Sequence, residues 1–183
     1  MDLKIQNIVS TANVGQNLDL LCLARQMKNI EYNPSKFIAA IQRMKNPRTT
    51  CLIFPSGRLV ITGAKTIVES HKAARRFSRG IQRARNKLQL NTSFTDFNVR
   101  NIVASFNMKK KINLSDLYNA RQNNCTFDQE TFPGLKYKPC STENVIAIIF
   151  NSGKVIITGA PTIDKINEMY ILLKRILLRF TYM

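Results

Sequence analysis

Ile53-Phe54-Pro55-Ser56-Gly57-Arg58-Leu59-Val60-Ile61-Thr62-Gly63-Ala64 is written a second time, as Ile149-Phe150-Asn151-Ser152-Gly153-Lys154-Val155-Ile156-Ile157-Thr158-Gly159-Ala160. Each copy sets two short apolar runs either side of a Ser-Gly pair, the pattern of two strands around a tight turn, and a stretch of helical period follows. The copies begin at 53 and 149, 96 residues apart in a chain of 183. That spacing marks a duplication rather than a solenoid array. Asn7-Ile8-Val9 returns as Asn101-Ile102-Val103, and Phe37 has its counterpart at Phe132, at nearly the same step. One supersecondary unit, used twice, accounts for most of the chain, with a first repeat over 1–92 and a second over 93–183.

Working outward from the hairpin, residues 5–11 and 49–54 read as strands, as does Phe37 to Met44 up to the break at Pro47. Asn29 to Asn33 looks extended. A helix is expected from Leu18 to Met27, with Asn17 as N-cap and Asp19 favourable near its start. From Lys65 to Lys87 the period turns helical, with Ile67, Ala74, Phe77, Ile81 and Ala84 on one face and Lys72, Arg76, Arg79 and Arg83 on another. A solvated surface explains that basic face as well as a binding role does. Residues 86–93 read as the linker. The second half repeats the order: strand Phe97 to Ser105, helix Leu114 to Arg121 behind Asn113, strands Val145 to Phe150 and Lys154 to Thr158. A last helix from Thr162 carries Ile163, Ile166, Tyr170, Leu173, Leu177 and Phe180 on one face.

Lys plus Arg number 28 against 11 Asp plus Glu, a formal charge of +17 and a pI near 10.2. So much uncompensated charge favours a polyanionic partner, nucleic acid above all. Hydrophobic content of 44% with 21% charged residues is that of a globular chain. No apolar run approaches the roughly 18 residues of a membrane span, and Met1-Asp2-Leu3-Lys4 lacks a signal peptide's apolar core. Four cysteines without a C-x-x-C pair and a single histidine, His71, write no zinc site, and no cofactor is expected. Cys22 and Cys51 read as small core fillers, and free thiols fit a reducing compartment. No nucleotide-binding, metalloprotease or nucleophile-elbow motif is present, so no enzyme is expected.

About five strands and two helices per half make an α+β protein whose helices cover one face of a ten-stranded antiparallel sheet. Yet the strands are apolar on both faces. Cys51 and Ile53 oppose Leu52 and Phe54, and Leu59 and Ile61 oppose Val60 and Thr62. The uncovered face needs an occupant. A dimer partner or a two-sided core would serve. An apolar, cation-rimmed surface also suits the DNA minor groove, where A·T pairs offer only acceptors and G·C adds an amino donor. Asn7, Asn101, Thr62 and Thr158 can donate there, beside the aliphatic Val9, Val103, Val60 and Ile156. Phe37 with Phe54 and Phe132 with Phe150 suggest wedges between base pairs, though a single Phe is more often core.

Gln6-Asn7-Ile8-Val9-Ser10-Thr11, Glu31-Tyr32-Asn33-Pro34, Pro47-Arg48-Thr49-Thr50, Leu52-Ile53-Phe54, Thr62-Gly63-Ala64-Lys65, Phe132-Pro133-Gly134-Leu135 and Ile157-Thr158-Gly159-Ala160 together resemble the core domain of the TATA-box-binding proteins, in order and over nearly the whole chain. The resemblance implies a pseudo-symmetric saddle, with a curved ten-stranded antiparallel sheet over DNA and helices on the convex face. It implies a nuclear general transcription initiation factor that binds A·T-rich promoter DNA in the minor groove, kinks it by phenylalanine insertion and nucleates preinitiation-complex assembly. Family positions put Phe37 and Phe54, and Phe132 and Phe150, as intercalating pairs, and Asn7 and Asn101 on base edges. Val9, Val103, Leu52, Ile148, Val60 and Ile156 would line the groove floor, with Thr62 and Thr158 donating. Arg43, Arg58, Lys65, Lys138 and Lys154 would hold phosphates. Asp128, Glu130 and Thr131 lie where a transcription factor IIB-like protein docks. Lys72, Arg76 and Arg83 lie on a helix face used by other regulators; IIA-like proteins, polymerase-associated factors and negative regulators are further partners that the resemblance implies. A self-dimer through the open face is the DNA-free alternative.

Several positions depart from the family pattern. Pro161 stands where Lys is usual, and Thr131 replaces an apolar residue. The 86–93 linker and the loop from Pro139 to Asn144 are long, and the extension that precedes the core in many relatives is not in this sequence. These departures suggest a divergent member or paralogue. A related minor-groove factor with altered sequence preference, acting mainly as a protein scaffold, is the competing expectation, and a DNA-repair domain on a similar sheet is another.

Overall fold

The computed structural model describes residues 2–86, 93–140 and 144–182. Most of the expected 86–93 linker, and 141–143 of the long loop, lie outside the described residues. Two compact units result, Asn7–Arg100 and the residues up to Gln6 together with those from Asn101 on.

The first elements are strand β1 (Lys4–Asn13), helix α1 (Leu20–Gln26), strands β2 (Ile30–Glu31), β3 (Ala40–Met44), β4 (Thr49–Ile53) and β5 (Arg58–Ala64), helix α2 (Ile67–Asn86) and strand β6 (Thr95–Asn107). The order then recurs as β7 (Lys111–Ile112), α3 (Leu114–Ala120), β8 (Cys125–Thr126), β9 (Gly134–Tyr137), β10 (Ile146–Phe150), β11 (Lys154–Ala160), α4 (Ile163–Leu177) and β12 (Thr181–Tyr182). Ten strands form one sheet in the order β2-β3-β4-β5-β1-β6-β11-β10-β9-β8, and the registered pairs are antiparallel. The ten-stranded antiparallel α+β expectation therefore holds. β7 and β12 pair separately in a small second sheet; two-residue strands have no period to detect, so neither was expected.

In the unit Asn7–Arg100, α2 buries Ala73, Ala74, Phe77, Ile81 and Ala84 against Cys51, Ile53, Leu59 and Ile61. Ser10 and Ser70, both fully buried, satisfy each other at 2.7 Å and tie β1 to α2. In the other unit the same depth is filled by Ala104 and Ile166, buried without a polar pair. There α4 presents Ile166, Met169, Leu173, Ile176 and Leu177 to the core. Thr162 caps it through the Lys165 N–H, as a β-region threonine before an apolar period should.

Four local expectations change. The α1 cap is Asp19, not Asn17. Its carboxylate accepts from the Leu21 and Cys22 N–H groups at 3.0 Å, while the Leu18 N–H goes to Pro55 O and keeps the preceding turn outside the helix. Cys22 is half-exposed rather than a core filler, because Leu20 and Leu23 take the buried side of that short helix. Phe37 to Ala39 stays out of strand β3, because the Phe37 and Lys36 N–H groups bond back to Asn33 O. Ile163 is exposed: as the first residue of α4 it precedes the buried series, which begins at Ile166.

Candidate nucleic-acid interface

Each unit leaves one sheet face without a helix, and the burial alternation identifies it. Along β4 and β5, Cys51, Ile53, Leu59 and Ile61 are buried while Leu52, Val60 and Thr62 stay half-exposed. Directly opposed residues share a face. The pairs Ile41↔Leu52, Leu52↔Val60 and Thr11↔Val60 therefore form one row, and Thr50↔Thr62 a second. Val9 lies on the same side of β1 as Thr11, two residues away. The other unit repeats this with Lys136↔Ile148, Ile148↔Ile156 and Ser105↔Ile156, with Ile146↔Thr158 beside them and Val103 along β6.

The Thr-Gly-Ala ends of β5 and β11 create the polar part of each face. Ile8 pairs with Ala64 and Ser10 with Ile61, so β5 spends one residue more than β1 over that step. Ile102 with Ala160 and Ala104 with Ile157 do the same for β6 and β11. Each extra residue is a bulge around a glycine at positive φ, +103° for Gly63 and +91° for Gly159. A Cβ at Gly63 would lie 2.8 Å from Arg48 O, and one at Gly159 2.0 Å from Asn144 O, so only glycine fits. The bulge takes the glycine N–H out of the ladder and aims it at an asparagine. Gly63 N donates to Asn7 Oδ1 at 2.7 Å, and Gly159 N to Asn101 Oδ1 at 2.8 Å.

Those two bonds orient both amides. A backbone N–H can only donate, so the atom it meets must be the oxygen, and Nδ2 is left on the other side. Asn7 Nδ2 donates to Thr62 Oγ1 at 3.0 Å and Asn101 Nδ2 to Thr158 Oγ1 at 3.2 Å. Each Nδ2 retains a second proton, while the threonine hydroxyls also lie within donating distance of the same Oδ1, Thr62 at 3.2 Å and Thr158 at 3.4 Å. The result, built twice, is a small cluster of hydrogen-bond donors beside aliphatic side chains. It can meet acceptors on an apolar floor, which is the chemistry of an A·T minor-groove edge.

Phe37 and Phe54 meet edge to face at 6.5 Å between centroids, and Phe132 and Phe150 at 6.1 Å. Phe37 is 41% and Phe132 37% exposed, a large solvent-facing area for such rings. Both sit on loops closed by the same device. The Asn33 side chain takes the Ser35 N–H and its carbonyl the Phe37 N–H; Asp128 takes the Glu130 N–H and gives its carbonyl to the Phe132 N–H. The Thr131 hydroxyl also bonds the Asp128 carboxylate, which gives a polar residue at 131 a structural role. That hydroxyl foremost holds the Asp128 carboxyl below the usual range against a desolvation penalty, with lesser help from the Thr131 and Glu130 N–H groups. Gly134 lies beneath the second pair, where a Cβ would come within 2.7 Å of the Phe132 ring.

Arg58, Lys65, Lys138 and Lys154 are exposed, as phosphate contacts need to be. Arg43 is exposed too but already engaged, with Nη1 2.5 Å from Glu31 Oε1. On α2, Lys72 and Arg83 reach solvent, whereas Arg76 donates to Asn46 O at 2.6 Å and so braces the β3–β4 turn. Four participants escaped the sequence reading. Arg100 Nε donates to Thr11 Oγ1 at 3.0 Å and Gln6 Nε2 to Ser105 Oγ at 2.8 Å, matched bonds at matched positions of the two repeats. The same step that relates Asn7 to Asn101 relates Thr11 to Ser105 and Gln6 to Arg100, and would have found them. Lys136 Nζ stands 5.9 Å over the Phe132 ring. Among the described residues no His, Cys, Asp and Glu group could hold a metal, and no helix is long and apolar enough to cross a membrane.

Comparison with known proteins agrees with this geometry. The family model described as Transcription factor TFIID (or TATA-binding protein, TBP) matches twice, over residues 2–84 and 96–180. The chain is 42% identical over 167 residues to a TATA-box-binding protein of Tetrahymena thermophila, covering 91% of this chain and 66% of that protein. It is 45% identical over 166 residues to one of Dictyostelium discoideum, covering 91% and 78%. The share falls to 54% of the longer Danio rerio protein. Among solved structures, Methanococcus jannaschii TBP superposes with a TM-score of 0.82 at 27% identity, covering 98% of this chain and 99% of that one.

Proposed function

The chain belongs to the TATA-binding-protein family, a family of DNA-binding transcription factors rather than enzymes, and on that premise we propose that it binds A·T-rich promoter DNA through the uncovered sheet faces. The observation that carries this reading is the twice-built cluster in which Gly63 and Thr62 orient the Asn7 amide, and Gly159 and Thr158 that of Asn101, leaving one Nδ2 proton of each to donate. Its donors complement N3 of adenine and O2 of thymine. The guanine amino group would face another donor and lose hydrogen bonding on an apolar floor of Val9, Val60, Leu52, Val103, Ile148 and Ile156. The exposed cations Arg58, Lys65, Lys138 and Lys154 engage phosphates and fix register, without reading sequence.

The Phe37–Phe54 and Phe132–Phe150 pairs act as wedges. Unstacking a base step costs a few kcal/mol, offset by the surface a bent duplex can reach, and exposed edge-to-face rings on capped loops are suited to that task. Sheet-mediated kinking of the minor groove is a known property of this same family, so the bend comes with membership rather than from these distances alone. The functional repeats are 1–92 and 93–183, in line with the two family matches. Assembly of a preinitiation complex in the nucleus would use the Asp128–Thr131 loop for a IIB-like protein, and Lys72 and Arg83 on α2 for acidic regulators.

The test is a bend and affinity measurement on A·T-rich and G·C-rich duplexes at one stated salt concentration, since affinity without salt has no meaning here. The intact protein should prefer the A·T duplex and bend it. Phe37→Ala with Phe54→Ala should remove most of the bend while retaining salt-dependent attraction. An unchanged bend in the double variant refutes the wedge, and equal affinity for both duplexes refutes the reading of A·T edges.

A further inference from the structure

Glu31 belongs to the two-residue edge strand β2 and is paired with Ile41, whose own partner Leu52 lies on the uncovered face. From there its carboxylate reaches diagonally to Arg43, two residues along β3, the spacing at which a long side chain still makes contact. Both side chains are open to water, Arg43 at 55% and Glu31 at 70%. The pair lines a concavity of about 750 Å3 whose wall also carries Lys45 and Arg48. In the other repeat Thr126 stands at the place of Glu31 and Lys138 at the place of Arg43, so the paired strand offers Lys138 no carboxylate. Two equivalent cationic positions are thus in different states, one engaged by a carboxylate of the neighbouring strand and one whose neighbouring strand, β8, offers no carboxylate.

We propose that Glu31 is a built-in competitor for phosphate at Arg43, a weak latch that DNA must open. This deepens the reading of Arg43 as a phosphate contact and rests on it. In the free protein the carboxylate holds the guanidinium in a charge-assisted bond. A phosphate that takes the guanidinium leaves Glu31 unpaired a few ångströms from a second anion. An exposed ion pair is weak enough to open, so the latch attenuates binding without blocking it. It also keeps a contact back from duplexes that approach loosely, because an ill-fitting backbone cannot displace the carboxylate. The phosphate contact at Arg43 is therefore attenuated by a competitor that β8 does not offer Lys138.

The experiment measures DNA affinity of the intact chain, Glu31→Gln, Arg43→Gln and the double variant, on one A·T-rich duplex across a salt series. Glu31→Gln should bind roughly threefold to tenfold more tightly at low salt, the scale of one unit charge near a phosphate in a water-like medium. The advantage should shrink as salt rises and screening shortens. Arg43→Gln should weaken binding, and in its background Glu31→Gln should have much less effect. A Glu31→Gln variant that binds like the intact chain, or that gains as much without Arg43, overturns the latch while leaving the phosphate assignment standing. If Arg43→Gln itself binds as the intact chain does, the assignment beneath the latch fails.

Discussion

Asn7→Asp separates the two jobs of the asparagine amide, because it changes one atom and keeps the shape. Oδ1 still accepts from Gly63 N, at 2.7 Å in the intact chain. The new oxygen replaces Nδ2, 3.0 Å from Thr62 Oγ1, and that hydroxyl can turn to donate to it. Folding stability should therefore change by about 1 kcal/mol, the scale of one exchanged part-buried hydrogen bond. Toward DNA everything reverses. The free Nδ2 proton is gone, and a negative acceptor stands where a donor stood.

On A·T pairs, loss of one hydrogen bond removes about 1 kcal/mol and an unpaired, desolvated acceptor costs about 1–3 more. Affinity for the A·T duplex should fall by roughly 30-fold or more, at about 1.4 kcal/mol per decade. On G·C pairs the amino group can donate to the new carboxylate, so the fall should be smaller. Repulsion from phosphates acts on both duplexes and cancels in their ratio. Fluorescence anisotropy with two labelled duplexes at one salt concentration reads that ratio, which should narrow by about tenfold or more, whereas Asn7→Ala, which only loses the donor, should narrow it about fivefold. An unchanged ratio in Asn7→Asp would show that the amide does not read bases. A large drop in melting temperature would show that the Gly63 contact needs the amide itself.

Two further outcomes follow from burial. Ser10→Ala or Ser70→Ala alone should cost about 1–3 kcal/mol by stranding a buried hydroxyl, while the double variant should be closer to the intact chain, approaching the apolar Ala104 and Ile166 of the other repeat; denaturant unfolding checks both, and a double variant as unstable as the two singles summed refutes the pair. Cysteine alkylation should go first at exposed Cys140, slowly at Cys125, whose thiol burial pushes up to about 11 against a partial lowering by Arg121, and at Cys51 only on unfolding, since burial drives that thiol far higher. Mass spectrometry of labelled peptides over a pH series reads the order, and labelling of Cys51 in the folded protein would contradict it.

The repeat made the fold legible because a strand's faces alternate regardless of context, and two copies of one alternation are hard to produce by chance. Ends of elements were less legible. Asn17 and Asp19 are both good caps by type, and the choice fell to the Leu18 bond with Pro55, a contact made 37 residues away in sequence. Cys22 looked buried by its neighbours, but a helix as short as Leu20–Gln26 has room for only one covered side. The polar half of the site was readable as residue types, since Asn and Thr recur in register. The glycine N–H that orients each amide was not, because it exists only once the bulge shifts β5 against β1 and β11 against β6.

What the two copies share and what they do not follows from which chemistry each part faces. Asn7 and Asn101, Val9 and Val103, Thr62 and Thr158, Gly63 and Gly159 are identical in type, and all stand on β1, β5, β6 and β11. A donor cluster beside an apolar floor answers one demand, the acceptor pattern of an A·T edge, and A·T and T·A present that pattern alike. On the proposed reading, either copy would therefore meet either strand with the same residues. The strands farther out differ. Ile41 against Lys136, Glu31 against Thr126 and Arg43 against Lys138 change charge or its partner between repeats. The loops beneath Phe37 and Phe132 differ too, with Asn33 and Lys36 in one and Asp128 and Glu130 in the other. Phosphates are uniform along a duplex, so a difference in charge there does not read sequence. It distinguishes the two repeats from each other, and in the proposed complex that would give two otherwise matched copies different neighbours.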